Sequence, residues 1–320
     1  MKNRLYDGKE KIISRTLADS HRTTLRKARD ASGPDMLTGS AAKRLALPQT
    51  ERDALDARLL KAAEKGRWIS VQGLIADGAD VNARDDTHET ALMKAARMGR
   101  TKAAMRLIRK GACLDQKDNE GQTALMKAAC NGKIRTARML VHEKAGIDAT
   151  DSWGETALMK VAFLDPELQS CQGRDTIARL LVAKGADVNL IDNYGSTALM
   201  KAAYTGHTNI VRLLIENGAE VDAEGRDGRT ALMKAAYQGE TGIVRMLLDS
   251  GADMNKQGID GRTPLMDAAL RDNREIARLL LARGADTGLK DPDGRTALDW
   301  ARQNGRSHIA MALRAQEARV

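Results

Sequence analysis

Residues 90–96 read Thr-Ala-Leu-Met-Lys-Ala-Ala, and the first five of them return at Thr123, Thr156, Thr197 and Thr230. Looser copies begin at Thr263 (Thr-Pro-Leu-Met-Asp-Ala-Ala) and Thr296 (Thr-Ala-Leu-Asp-Trp-Ala). Successive starts lie 33, 33, 41, 33, 33 and 33 residues apart. A second string lies upstream: Gly-Ala-Asp-Val-Asn at 78–82 and 185–189, Gly-Ala-Glu-Val-Asp at 218–222 and Gly-Ala-Asp-Met-Asn at 251–255. Self-similarity at a fixed period of this length is the mark of a repeat architecture.

Each period spells a turn and two helices. The Thr hydroxyl suits an N-cap, where it accepts from a free first-turn amide. Leu, Ala and Ala at the third, sixth and seventh places share one helical face. Gly99, Gly132, Gly206 and Gly239 end that helix. A second apolar stretch follows, for example Ile210-Val211-Arg212-Leu213-Leu214-Ile215. The Gly of the second string closes it, and Asp-x-x-Gly forms the next turn. One such pair cannot bury its own apolar face, but stacked pairs can.

The period, Thr-Ala/Pro-Leu and Gly-Ala-Asp-Val-Asn together resemble ankyrin repeats across about residues 53–315. Thr-Ala-Leu-Met in an Ala/Arg-rich chain is similar to the bacterial members. The resemblance implies an all-α solenoid of paired antiparallel helices with β-turn or hairpin fingers and about eight repeats. The expected divisions are a basic, mostly disordered leader over 1–50 and an opening cap over 53–84. Repeats then follow at 85–117, 118–150, 151–191, 192–224, 225–257 and 258–290, with a closing cap at 291–320. Where the family has Thr-Pro-Leu-His, this chain has Pro only at Pro264 and Met in place of His at 93, 126, 159, 200, 233 and 266. The family's Thr-to-His hydrogen bonds are therefore expected to give way to methionine packing. The second repeat also lacks its closing Gly: Lys144-Ala145 stand there, and Gly146 comes two residues late.

Composition agrees with a thin layered core. Of 320 residues 42% are hydrophobic and 30% charged, yet only 2% are aromatic. The formal net charge is +9; residues 1–50 hold 11 Lys/Arg against 5 Asp/Glu, which leaves +3 for the rest. Cys113, Cys130 and Cys171 form neither a disulfide framework nor a zinc-ligand pattern. No apolar run reaches the ~18 residues of a membrane span, and the start lacks the apolar core of a secretory signal. These features point to a monomer of the reducing cytosol, with export by another route as the alternative. Ile12, Ile13, Leu17 and Leu25 are candidates for one short leader helix, while Gly33-Pro34 and Gly39-Ser40 break that region.

The resemblance implies that partners touch a cupped face at three turn positions, two positions ending the first helix and one before the turn. In the first repeat these are 86, 87, 89, 97, 98 and 84. Trp153, Phe163, Tyr194, Tyr204 and Tyr237 all fall on equivalent positions, where chance would place about one of the eight aromatics. Exposed Trp and Tyr commonly dominate interface energy, so this cluster is the expected binding centre, against a role in covering neighbouring alanines. Lys94, Lys127, Lys160, Lys201 and Lys234 form a row along the same face. It reads either as solvated charge with its stems on core methyls or as a strip for an acidic partner. Arg229, Arg262 and Arg295 make one edge basic, unless turn chemistry alone explains them. The eight-residue excess within 164–173 lies beside the aromatics, at a position where loop lengthening costs little.

There is no phosphate loop, zinc helix or nucleophile elbow, and the five histidines (21, 88, 142, 207, 308) are scattered. A non-catalytic scaffold or inhibitor that binds a protein, with no cofactor, ranks first. An exported effector acting on host proteins ranks second. Nucleic acid ranks last, because no base-reading motif accompanies the lysines.

Overall fold

The protein is seen in a computed structural model whose described residues are 39–163 and 173–318. Residues 1–38 and 164–172, with the expectations attached to Ile12, Ile13, Leu17, Leu25 and Cys171, lie outside them. Among the described residues there are seventeen helices and no named strand. A leading helix α1 (Ser40–Ala46) precedes the cap pair α2 (Gln49–Lys65) and α3 (Trp68–Ala76). Seven further pairs follow: α4 and α5 (Ala91–Arg97, Thr101–Arg109), α6 and α7 (Ala124–Cys130, Ile134–His142), α8 and α9 (Ala157–Phe163, Arg174–Ala183). Next come α10 and α11 (Ala198–Tyr204, Thr208–Glu216), α12 and α13 (Ala231–Gln238, Thr241–Asp249), α14 and α15 (Pro264–Arg271, Arg274–Ala282), α16 and α17 (Ala297–Gln303, Ser307–Glu317). Eight stacked pairs make the array an all-α solenoid.

Each first helix starts as the string requires. The hydroxyls of Thr90, Thr123, Thr156, Thr197, Thr230 and Thr263 accept the N–H of the Met three residues on at 3.2–3.4 Å. The methionines are fully buried, but packing is not their whole role. The Met93 thioether accepts the Thr90 N–H at 3.4 Å, and Met126 does the same for Thr123 at 3.5 Å. Sulfur thus keeps part of the bond expected to vanish with histidine. In the last pair Asp299 restores a full reciprocal cap, accepting both the N–H and the hydroxyl of Thr296 at 3.0 and 2.8 Å.

Packing follows the small residues. Ala95, Ala96, Ala128, Ala129, Ala202 and Ala203 are buried, so first helices lie directly on first helices of the next pair. Leu92, Leu107, Leu125 and Leu140 fill the space between the two helix layers, each worth roughly 1.5–3 kcal/mol on burial. Tight alanine layers account for the shortage of rings.

The fingers are turns; the isolated bridge from Arg84 to Thr90 is the nearest approach to a hairpin among the described residues. Successive fingers are tied by backbone bonds: the Asn119 N–H donates to Thr87 O (3.1 Å), Ser152 to Glu120 (3.0 Å), Asn193 to Trp153 (2.9 Å), Arg226 to Tyr194 (2.9 Å) and Ile259 to Asp227 (3.0 Å). Trp153 and Tyr194, both at the middle finger position, are held in line by this ladder.

Two features depart from the sequence divisions. Gly39-Ser40, read as a break, starts α1. Arg44 clamps that helix to the cap through two bonds to Asp56 (2.8 and 2.7 Å) and one to Gly78 O (3.1 Å). The boundary expected at residue 50 also falls inside α2, which begins at Gln49 behind Pro48. In the second repeat Lys144 takes the left-handed position that the missing Gly would occupy, with φ 73°.

Candidate interaction surface

The lysine row faces the finger side of the first helices, and its charges are spoken for. Lys94, Lys127, Lys160 and Lys201 reach the turn aspartates Asp85, Asp118, Asp151 and Asp192 at 2.7, 2.6, 2.5 and 2.8 Å. Each aspartate uses its other oxygen to hold its own turn. Asp151 Oδ1 accepts the N–H groups of Trp153 and Glu155, both at 2.9 Å, and Asp192 Oδ1 those of Tyr194 and Ser196, both at 2.8 Å. Two glutamates each bridge neighbouring repeats: Glu89 pairs with Lys94 and Lys127 (3.2 and 3.3 Å), Glu155 with Lys160 and Lys201 (3.0 and 2.6 Å). Four ammoniums therefore meet six carboxylates. Burial works against the charged form of these lysines, but the carboxylates outweigh it and raise their pKa values. The row is neither solvated nor free to attract an acidic partner; it locks fingers to helices. Lys234 is the exception, because Gly225 replaces the turn aspartate. It pairs instead with the half-exposed Asp227 at 3.1 Å.

The basic edge is spent in the same way, with the polarity reversed. Asp267 replaces lysine on α14 and is fully buried. Arg229 binds it at 2.5 Å and Arg262 approaches it at 3.5 Å. Arg295 pairs with Asp291 at 2.8 Å and lies over Trp300, whose Nε1 donates to the same aspartate at 3.0 Å. Helix and finger thus exchange charge sign between the fourth and sixth repeats while the pairing persists. The sequence shows the exchange as Lys to Asp267 and Glu or Ser to Arg, but not that the two positions touch.

Of the five aromatics, four converge. Trp153, Phe163, Tyr194 and Tyr204 line one groove of about 540 Å³ with Met200 and Ser196. They are 42, 48, 65 and 41% exposed. Phe163 and Tyr204 stack at 6.3 Å, as their equal positions in neighbouring repeats require. Beneath the rings, Lys160 Nζ lies 5.3 Å from the Trp153 centroid and Lys201 Nζ 4.8 Å from that of Phe163. Buried, paired cations thus support the faces of two rings. Lys234 also lines the groove, whereas Lys94 and Lys127 lie outside it. Tyr237 does not join. It is half-buried between Arg229 and Arg271, at 5.9 and 4.7 Å. Ile191, which sequence reasoning passed over, projects 61% exposed from the same finger as Tyr194. Its place just before the turn is one of the six contact positions and was the signal for it.

No group of three His, Cys, Asp or Glu side chains among the described residues is arranged to hold a metal. Burial pushes the Cys130 thiol up to about 11, which removes it as a nucleophile near neutral pH. No described helix is long and apolar enough to cross a membrane.

Stacked helical pairs joined by a ladder of fingers define a helical repeat solenoid. A family model described as ankyrin repeats (3 copies) matches residues 59–152, 143–223, 168–258 and 250–320, and the chain belongs to the ankyrin-repeat family. Arrays of this family generally mediate protein–protein interaction and are typically non-catalytic. No curated protein gives a significant match to the chain.

Proposed function

We propose that this protein is a non-catalytic scaffold or inhibitor of the cytosol that captures another protein on its concave face, centred on Trp153, Phe163, Tyr194 and Tyr204. The observation that carries the reading is the groove itself: exposed rings from two adjacent repeats, the two on the fingers tied by the backbone ladder and two of the four supported by paired lysines. A partner side chain entering it meets apolar surface whose neighbouring charges are already compensated, so little desolvation opposes binding. Lys160 and Lys201 position the rings; Lys94, Lys127, Arg229, Arg262 and Arg295 hold fingers in register; Tyr237 flanks the site.

The test is capture from the protein's own cells by the immobilised full chain, read by quantitative mass spectrometry. Trp153→Ala with Tyr204→Ala should deplete specific partners at least roughly tenfold, since central aromatic anchors are worth about 2 kcal/mol or more each. The melting temperature should stay within a few degrees because the rings are exposed. Undiminished capture by the folded variant would remove this reading.

A further inference from the structure

Residues 1–50 carry +6 of the formal charge of +9. On the finger side the lysines of the first four repeats are outnumbered by carboxylates. Unpaired cations of the array surface instead on the opposite side of the first pairs. Helices α5 and α7 contain Lys102, Arg106, Arg109, Arg135 and Arg138 and no Asp or Glu. The second helices of later pairs are mixed, carrying Glu216, Asp249 and Glu275. Arg100 and Lys133, at the starts of α5 and α7, and Arg67, at the start of α3, extend the patch. None of Arg67, Arg100, Lys102, Lys133 and Arg135 enters an ion pair among the described residues.

Between these cations lies a second groove, of about 650 Å³, floored by Trp68, Ala103 and Ile134. Its hydroxyls are satisfied internally, with Thr101 and Thr136 bonded to each other at 2.8 Å. The Arg106 guanidinium sits 5.4 Å from the Trp68 ring centroid and covers one of its faces.

We propose that this face docks an acidic protein segment that carries a bulky apolar side chain. Unmatched cations call for an anionic occupant, and the apolar floor between them calls for an apolar anchor on the same segment. Nucleic acid fits less well, because phosphate contacts alone would leave the apolar floor unused. Residues 1–38 do not supply such a segment by composition, since they hold nine Lys/Arg against five Asp/Glu.

The full chain should be titrated against three labelled probes: a random glutamate–tyrosine copolymer, poly-L-glutamate, and a thymidine oligonucleotide of about 20 residues. The copolymer should bind most tightly and weaken steeply as salt shortens the reach of the charges. Lys102→Glu with Arg135→Glu should cost roughly tenfold in affinity. Arg278→Glu, on the exposed face of α15, and Trp153→Ala should cost nothing, which separates this site from the aromatic groove. Arg135→Gln gives a milder variant, and thermal melting verifies that each remains folded. Unchanged copolymer affinity in folded variants, or tighter binding of poly-L-glutamate or the oligonucleotide, overturns the proposal. A light-scattering mass that doubles in dilute salt and falls in the double variant would assign the face to a second copy and overturn it too.

Discussion

Single residues carry two unlike kinds of stress here. Lys144 holds φ 73° where the equivalent Gly111, Gly185 and Gly218 hold 83–88°. A side chain in this region costs roughly 1–2 kcal/mol, and glycine's added freedom in the unfolded chain returns roughly 0.5–1 kcal/mol of that. Lys144→Gly should therefore stabilise the protein by about 0.5–1 kcal/mol, seen as a higher urea midpoint at unchanged slope. Asp85 shows the other kind. Burial opposes its ionisation, but Lys94, the Thr87 hydroxyl and the Glu89 N–H together lower its pKa to about 2 from an ordinary 3.8. Because the folded value is the lower one, its contribution is full above pH ~4 and disappears as pH falls towards ~2. The stability advantage over Asp85→Asn, followed by acid titration, should close across that window. An advantage that grew on acidification would contradict the assignment.

At the level of elements, first helices and fingers are coupled by ion pairs whose worth depends on burial. Lys201 is only 9% exposed and serves two carboxylates, so Lys201→Ala strands buried charge and should cost about 3 kcal/mol. Lys234 meets a half-exposed aspartate on a finger without the buried turn carboxylate, and Lys234→Ala should cost under about 1 kcal/mol. Urea unfolding of the two variants side by side checks this; equal losses would mean that the ladder does not distinguish the fourth repeat from the fifth. The leading helix obeys the same logic. Arg44→Ala removes the clamp on Asp56 and should speed amide exchange in α1 and the start of α2, leaving α14–α17 untouched because repeats feel only their neighbours.

Across the whole molecule, the two faces separate by charge. The finger side has its cations bonded internally, so partner capture by Trp153, Tyr194 and Tyr204 should change by less than about threefold between roughly 0.1 and 0.5 M salt. Affinity measured at both ends of that range tests it; a steep decline would restore the lysine row to the contact surface. The array and its pairing of helices were legible at once, because a 33-residue period with capped starts, glycine stops and one apolar face per helix is a strictly local pattern. The convergence of Trp153, Phe163, Tyr194 and Tyr204 was legible too, since equal positions in successive repeats stack on one another, whereas Tyr237, expected with them, lies apart between Arg229 and Arg271. What stayed hidden was every ionic partnership across the stack. Lys127 and Glu89 stand 38 residues apart in the chain but 3.3 Å apart in space, and Asp267 explains itself only beside Arg229. From the sequence alone the chain was a repeat solenoid with a row of lysines. Only the tertiary structure decided that the row is paired by carboxylates and the cations on the back of the first pairs are not, because the free energy of a charge depends on its neighbours and its burial, which no single repeat contains.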